Sequence, residues 1–152
     1  MSLVQGRAGS AIRRIWRQER SELRQVAARV GALGTGVGSL RRAVLGGSAC
    51  SLPDALEHTV LPYLDWEEVI VFPTIERLAG NPRAGRRLVL ELEQVRALIG
   101  VVLADWERLP GAPSARQLYR LRANLERLGV VLQAHLEREQ RLLAPLLAPA
   151  RA

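Results

Sequence analysis

Apolar residues recur along this chain at three- and four-residue intervals, the spacing of one helix face, and nowhere in sustained alternation. Ile12, Ile15, Trp16, Leu23, Val26 and Val30 predict a first helix over about 10–31. Ser10 is placed as its N-cap. Gly31, Gly34, Gly36 and Gly38 then weaken the pattern, and a short turn follows over Leu40–Leu45. A second helix is expected over about 52–79. Ser51 would cap it and Pro53 would sit in its first turn, with a kink or break near Pro62 and Pro73. Gly80-Asn-Pro82 ends it. Leu88, Leu92, Val95, Leu98, Ile99, Val102 and Leu103 mark a third helix over about 84–107. The Leu109–Ser114 segment is a loop, and Ser114 caps a fourth helix over about 114–147. Its stripe holds Leu118, Leu121, Leu125, Leu128, Val131, Leu132, His135 and Leu142, and Pro145 and Pro149 close it. Four long helices with short connections predict an all-α, up-down-up-down antiparallel four-helix bundle as a single domain over 1–152.

Two segments interrupt this apolar regularity in the same way. Tyr63-Leu-Asp-Trp-Glu67 runs on to Pro73, and His135-Leu-Glu-Arg-Glu139 runs on to Pro145. Residues four apart lie one above the other on a helix face. Tyr63 with Glu67, and His135 with Glu139, should therefore project polar groups into the centre of the bundle.

Composition narrows the chemistry. The chain has 152 residues, a net charge of +7, two His and one Cys. All its basic residues are Arg, scattered among Glu as on solvated helix faces. No aromatic-interleaved basic stripe or helix-turn-helix pattern accompanies them, so nucleic acid is not an expected partner. No apolar run approaches the ~20 residues of a membrane span, and the first residues lack the apolar core of a secretory signal. The expectation is a cytoplasmic protein without a membrane partner. Cys50 lies in an expected loop and reads as an incidental thiol. Trp16, Trp66 and Trp106 read as core or boundary residues, and Tyr119 as a boundary residue. The Glu57-His58 pair reads as surface. No Ser-His-Asp order, phosphate loop or dinucleotide fingerprint occurs.

The paired segments resemble the His-x-x-x-Glu motifs on the second and fourth helices of bacterial hemerythrin-like (HHE cation-binding) domains. The likeness spans nearly the whole chain, since helix order and loop positions agree. It implies a di-iron centre inside a four-helix bundle, with further His ligands from the first and third helices. His135 and Glu139 match the fourth-helix motif fully, and Glu67 matches the second-helix carboxylate. Tyr63 stands where that motif has His. Arg20, in Glu19-Arg20-Ser-Glu-Leu23, and Leu92, in Glu91-Leu92-Glu-Gln-Val95, stand at the other His positions.

Three expected imidazoles are thus a phenol, a guanidinium and an isobutyl group. The expectation is a degenerate centre without cofactor. Arg20 would bond Glu67 and Glu139 in place of metal, Tyr63 and His135 would complete a polar network, and Leu92 would fill the vacated volume. The function expected is non-enzymatic, binding or regulatory, through an unidentified protein partner, with homo-oligomerisation left open. The alternative is a residual metal site of Glu67, His135, Glu139 and Tyr63, holding iron or zinc for iron, oxygen or nitric oxide sensing or peroxide handling. A third reading, a basic module for nucleic acid or anionic surfaces, would show salt-dependent binding.

Overall fold

A computed structural model describes residues 2–45, 51–83 and 85–146. Every extended element among them is helical. Helix α1 covers Ser2–Gly34 and α2 covers Val37–Leu45. A continuous helical run over 51–79 is α3, α4 covers Arg86–Glu107, and α5 covers Ala115–Leu146. Cys50 and Pro149, and the expected bounds at Ala84 and Leu147, lie outside the described residues.

The expectations need correction at several places. Helix α1 begins well before Ser10, which lies in its interior rather than at a cap. The helix also continues through Gly31 to Gly34, because packing along α5 outweighs the modest cost of glycine in a helix. One of its glycines is needed there. A Cβ on Gly34 would come within 2.9 Å of the Glu126 backbone, so α1 and α5 meet there main chain to main chain. Two stripe residues face outward: Ile15 and Leu142 are exposed, and Leu143 takes the inward position in place of Leu142. Pro145 lies inside the last turn of α5 instead of ending it.

Helix α3 does not break at its prolines. Each lacks an N–H and its ring crowds the carbonyl one turn back. The chain absorbs this by widening the preceding turn into π geometry, over Leu56–Val60 before Pro62 and over Glu67–Val71 before Pro73. Each proline then stands at the start of a fresh α-helical segment, Leu61–Trp66 and Phe72–Ala79. Tyr63 and Glu67 both remain buried.

The helix ends behave as their sequences dictate. Gly80 takes the left-handed conformation, with φ of 61°, and closes α3. Ser114 caps α5 reciprocally: the Gln117 amide donates to its Oγ at 3.2 Å, and its own amide donates to Gln117 Oε1 at 2.8 Å.

Helix α5 packs along both α1 and α4. Paired residues run in opposite order on each face. Arg20 meets Glu139 while Gly34 meets Glu126; Glu91 meets His135 while Asp105 meets Asn124. Both pairs are therefore antiparallel. Leu23, Val30, Leu64, Ile75, Leu92, Ile99, Leu125 and Leu132 belong to one apolar core between the helices. Among the described residues no helix is long and apolar enough to cross a membrane.

Candidate functional site: a buried polar cluster

Among the described residues, Arg20, Glu67, His135 and Glu139 are buried in that core, together with the Tyr63 phenol. Burying such groups is costly unless each finds a partner. Glu139, from α5, is the best satisfied. Its Oε2 accepts from Arg20 Nη1 at 2.9 Å, and its Oε1 accepts from the Tyr63 hydroxyl at 2.6 Å and from the Trp16 indole N–H. The second Arg20 amino group, Nη2, donates to the Leu136 carbonyl, one turn before Glu139 on the same helix. The Arg20 guanidinium also lies 5.1 Å from the Trp16 ring centre, close enough for a cation–π contact.

Arg20 therefore does not bridge Glu67 and Glu139 as the sequence suggested. It joins α1 to α5 through Glu139 alone. Glu67 is taken by the imidazole, with His135 Nε2 2.9 Å from its Oε2. The other ring nitrogen, Nδ1, lies 3.4 Å from Glu91 Oε2. Glu91 in turn pairs with Arg138 and lies 3.7 Å from Arg87. The cluster is thus two chains of contacts side by side. One runs from Trp16, Tyr63 and Arg20 to Glu139; the other runs from Glu67 through His135 to Glu91 and Arg138.

Sequence reasoning missed three of these residues. Trp16 reads from the sequence as a core or boundary residue, yet a buried indole N–H needs an acceptor, and Trp16 lies one turn before Arg20. Glu91 was passed over for its neighbour Leu92. Arg138, three residues after His135, was the available signal of an acid opposite. Leu92 is wholly buried in the apolar core, as expected, and His58 is exposed and outside the cluster.

Protonation follows from these surroundings. Burial pushes the Glu67 carboxyl up to about 8, against the pull of a hydrogen bond with the neighbouring Glu139 carboxyl and of the Arg20 and Arg96 charges. Burial and the neighbouring Glu67 charge push Glu139 up to about 8 as well, against the pull of Tyr63, Trp16 and Arg20. Two adjacent buried carboxyls share what they bind. Glu139 has three donors, one of them the Arg20 guanidinium, whereas Glu67 has none of these, so the proton belongs on Glu67. Burial lowers the His135 pKa and keeps its ring neutral. A consistent assignment results: the Glu67 hydroxyl donates to Nε2, and Nδ1–H donates to the Glu91 carboxylate. Tyr63 is held firmly as a phenol, first by burial and then by the charges of Glu67 and Glu139, which drive its pKa far up.

Among the buried atoms of the cluster without a partner are Glu67 Oε1, which accepts no hydrogen bond, and Arg20 Nε, which donates none. Glu67, His135 and Glu139 offer ligand atoms all within 4.8 Å of one another, so a metal-binding triad is geometrically available. The fit is incomplete. Both Glu139 oxygens are engaged, and Arg20 holds a permanent positive charge 2.9 Å from one of them. No protein-family model, curated protein or solved structure matches this chain.

Proposed function

We propose that the chain is a hemerythrin-like, up-down-up-down four-helix bundle in which a guanidinium stands in for the metal centre. It works as a non-enzymatic binding or regulatory protein. The observation that carries this reading is the placement of Arg20, 4% exposed, with one amino group on Glu139 and the other on the Leu136 carbonyl. The two-copy motif, the antiparallel pairing of α5 with α1 and α4, and the convergence of Glu67, His135 and Glu139 support the bundle. The residues do not fit a pair of irons. Tyr63, Arg20 and Leu92 supply no imidazole, and a second cation beside Arg20 would meet strong repulsion at low dielectric.

The test is elemental analysis of protein produced in iron-supplemented medium, together with its ultraviolet–visible spectrum. The expected result is no bound metal. About two irons per chain would overturn the reading.

A second reading has one observation in its favour, the partnerless Glu67 Oε1. A single divalent cation held by Glu67, His135 and Glu139 would satisfy it, provided Arg20 released Glu139. Tyr63 does not add to that set, because its hydroxyl donates to Glu139 and resists ionisation. About one metal per chain, without a tyrosinate band, would favour this reading.

A further inference from the structure

One face of α1 runs from the buried Arg20 out to the surface and carries more than the hydrogen bonds of the buried cluster. Arg13, Arg17, Arg20 and Arg24 follow one another at three- and four-residue steps, which places them on one helix face. They line an open cleft of about 690 Å³ between α1 and α5. That volume falls within the range of small-molecule sites. The opposite wall is neutral, formed by Gln140 and Ala144, and among the described residues no carboxylate lines the cleft.

Two of these guanidiniums, Arg17 and Arg24, face no carboxylate among the described residues. Arg24 donates to the neutral Gln140 Oε1 at 2.7 Å, and among the described residues Arg17 has no ion-pair partner. Arg20 closes the inner end of the cleft. Two of its nitrogens are engaged with α5, but its Nε is buried and finds no acceptor. The cleft therefore gathers like charges and ends at a buried, unused donor, both of which an anion would relieve.

We propose that this cleft binds a small organic polyanion whose acidic groups are carboxylates or phosphates. Planar guanidiniums match both through paired N–H donors. Arg17 and Arg24 take the outer charges, and the inner acidic group reaches Arg20 Nε. The volume exceeds that of a bare inorganic ion, so the ligand carries a body that lies along Trp16 and Ala28. The site calls on no metal: it takes the Nε of Arg20 and leaves Nη1 and Nη2 on α5.

Pyrophosphate and citrate are the probes, titrated calorimetrically at low salt while the arginine Nε–H resonances are followed by NMR. Saturable binding is expected, with the Arg20 Nε–H signal moving along the same isotherm. Preference for pyrophosphate names the phosphate class, and preference for citrate the carboxylate class. Arg17→Gln/Arg24→Gln should weaken binding by at least ~tenfold. Arg41→Gln/Arg42→Gln, which removes equal charge from exposed positions on α2, should change it by less than about twofold. The proposal is overturned if neither probe saturates, if both double variants lose affinity equally, or if binding leaves Arg20 Nε–H unmoved.

Discussion

Truncating Arg20 would leave Glu139 charged inside the core with only Tyr63 and Trp16 as donors, and the Leu136 carbonyl without its side-chain partner. Breaking a buried pair in this way costs on the order of 3–5 kcal/mol. Arg20→Ala should lose about that much stability in urea unfolding, and Glu139→Gln in the same background should recover part of it, because the neutral amide removes the unpaired charge. An unchanged unfolding midpoint in Arg20→Ala would sink the proposed network. The proton on Glu67 has its own signature. Its folded pKa, about 8, lies above the usual carboxylate value, so the folded state holds a proton that the unfolded chain has already lost. That stability is complete at acid pH and is lost as pH rises through about 8. His135 acts oppositely: kept neutral by burial, it lowers stability as pH falls below about 6.5. Between pH ~6.5 and ~8 only the carboxyls contribute, and unfolding free energy should fall by up to ~1.4 kcal/mol per pH unit for each retained proton. Glu67→Gln should flatten that slope by the share of one proton. A wild-type curve already flat over this window would mean that no buried proton exists.

At the scale of the elements, the same close packing that hides the cluster also sets its register. Gly34 lets the C-terminal end of α1 approach α5, while Arg20 fixes the pair about four turns earlier in the same helix. Gly34→Ala should push a methyl into the Glu126 backbone and destabilise by ~1–3 kcal/mol, measured by thermal and urea unfolding. Gly38→Ala, where a Cβ meets nothing within 4 Å, is the matched control and should be neutral or better. The helices were legible because their apolar stripes obey one period, and Gly80 and Ser114 were legible because their terminal chemistry is local. The start of α1 was not, since Ser10 looks like a cap and nothing nearby says that a partner helix extends the packing past it. The π turns of α3 were half legible: Pro62 and Pro73 announce a disturbance, but whether a helix breaks or widens depends on the burial of Tyr63, Leu64 and Glu67 on its inner face. Within the cluster, Tyr63, Glu67, His135 and Glu139 were readable from spacing, and Arg20 only through the family resemblance. Their pairing was not, because which carboxylate Arg20 reaches depends on the rotation of α1 against α5.

Taken whole, the molecule makes a specific statement about where positive charge belongs. The described helices bury one guanidinium beside two carboxyls and an imidazole, the same donor chemistry that would suit a metal cation. If Arg20 is the substitute, cation binding should return only when that fixed charge is removed, however many imidazoles are added. Tyr63→His/Leu92→His retains Arg20 and should take up little or no iron. Arg20→His/Tyr63→His/Leu92→His has the same added ligands without the guanidinium and should bind iron. Its melting temperature should then rise with added ferrous iron, as mass action requires of a ligand that binds the folded state. Both variants introduce polar groups into an apolar core, so each is compared with its own metal-free form, which separates lost packing from gained coordination. Equal iron uptake by the two would show that Arg20 is a bystander, and that the missing imidazoles alone explain a metal-free protein. Uptake confined to the variant lacking Arg20 would mean that one residue on α1 decides whether this core holds a protein cation or a metal one.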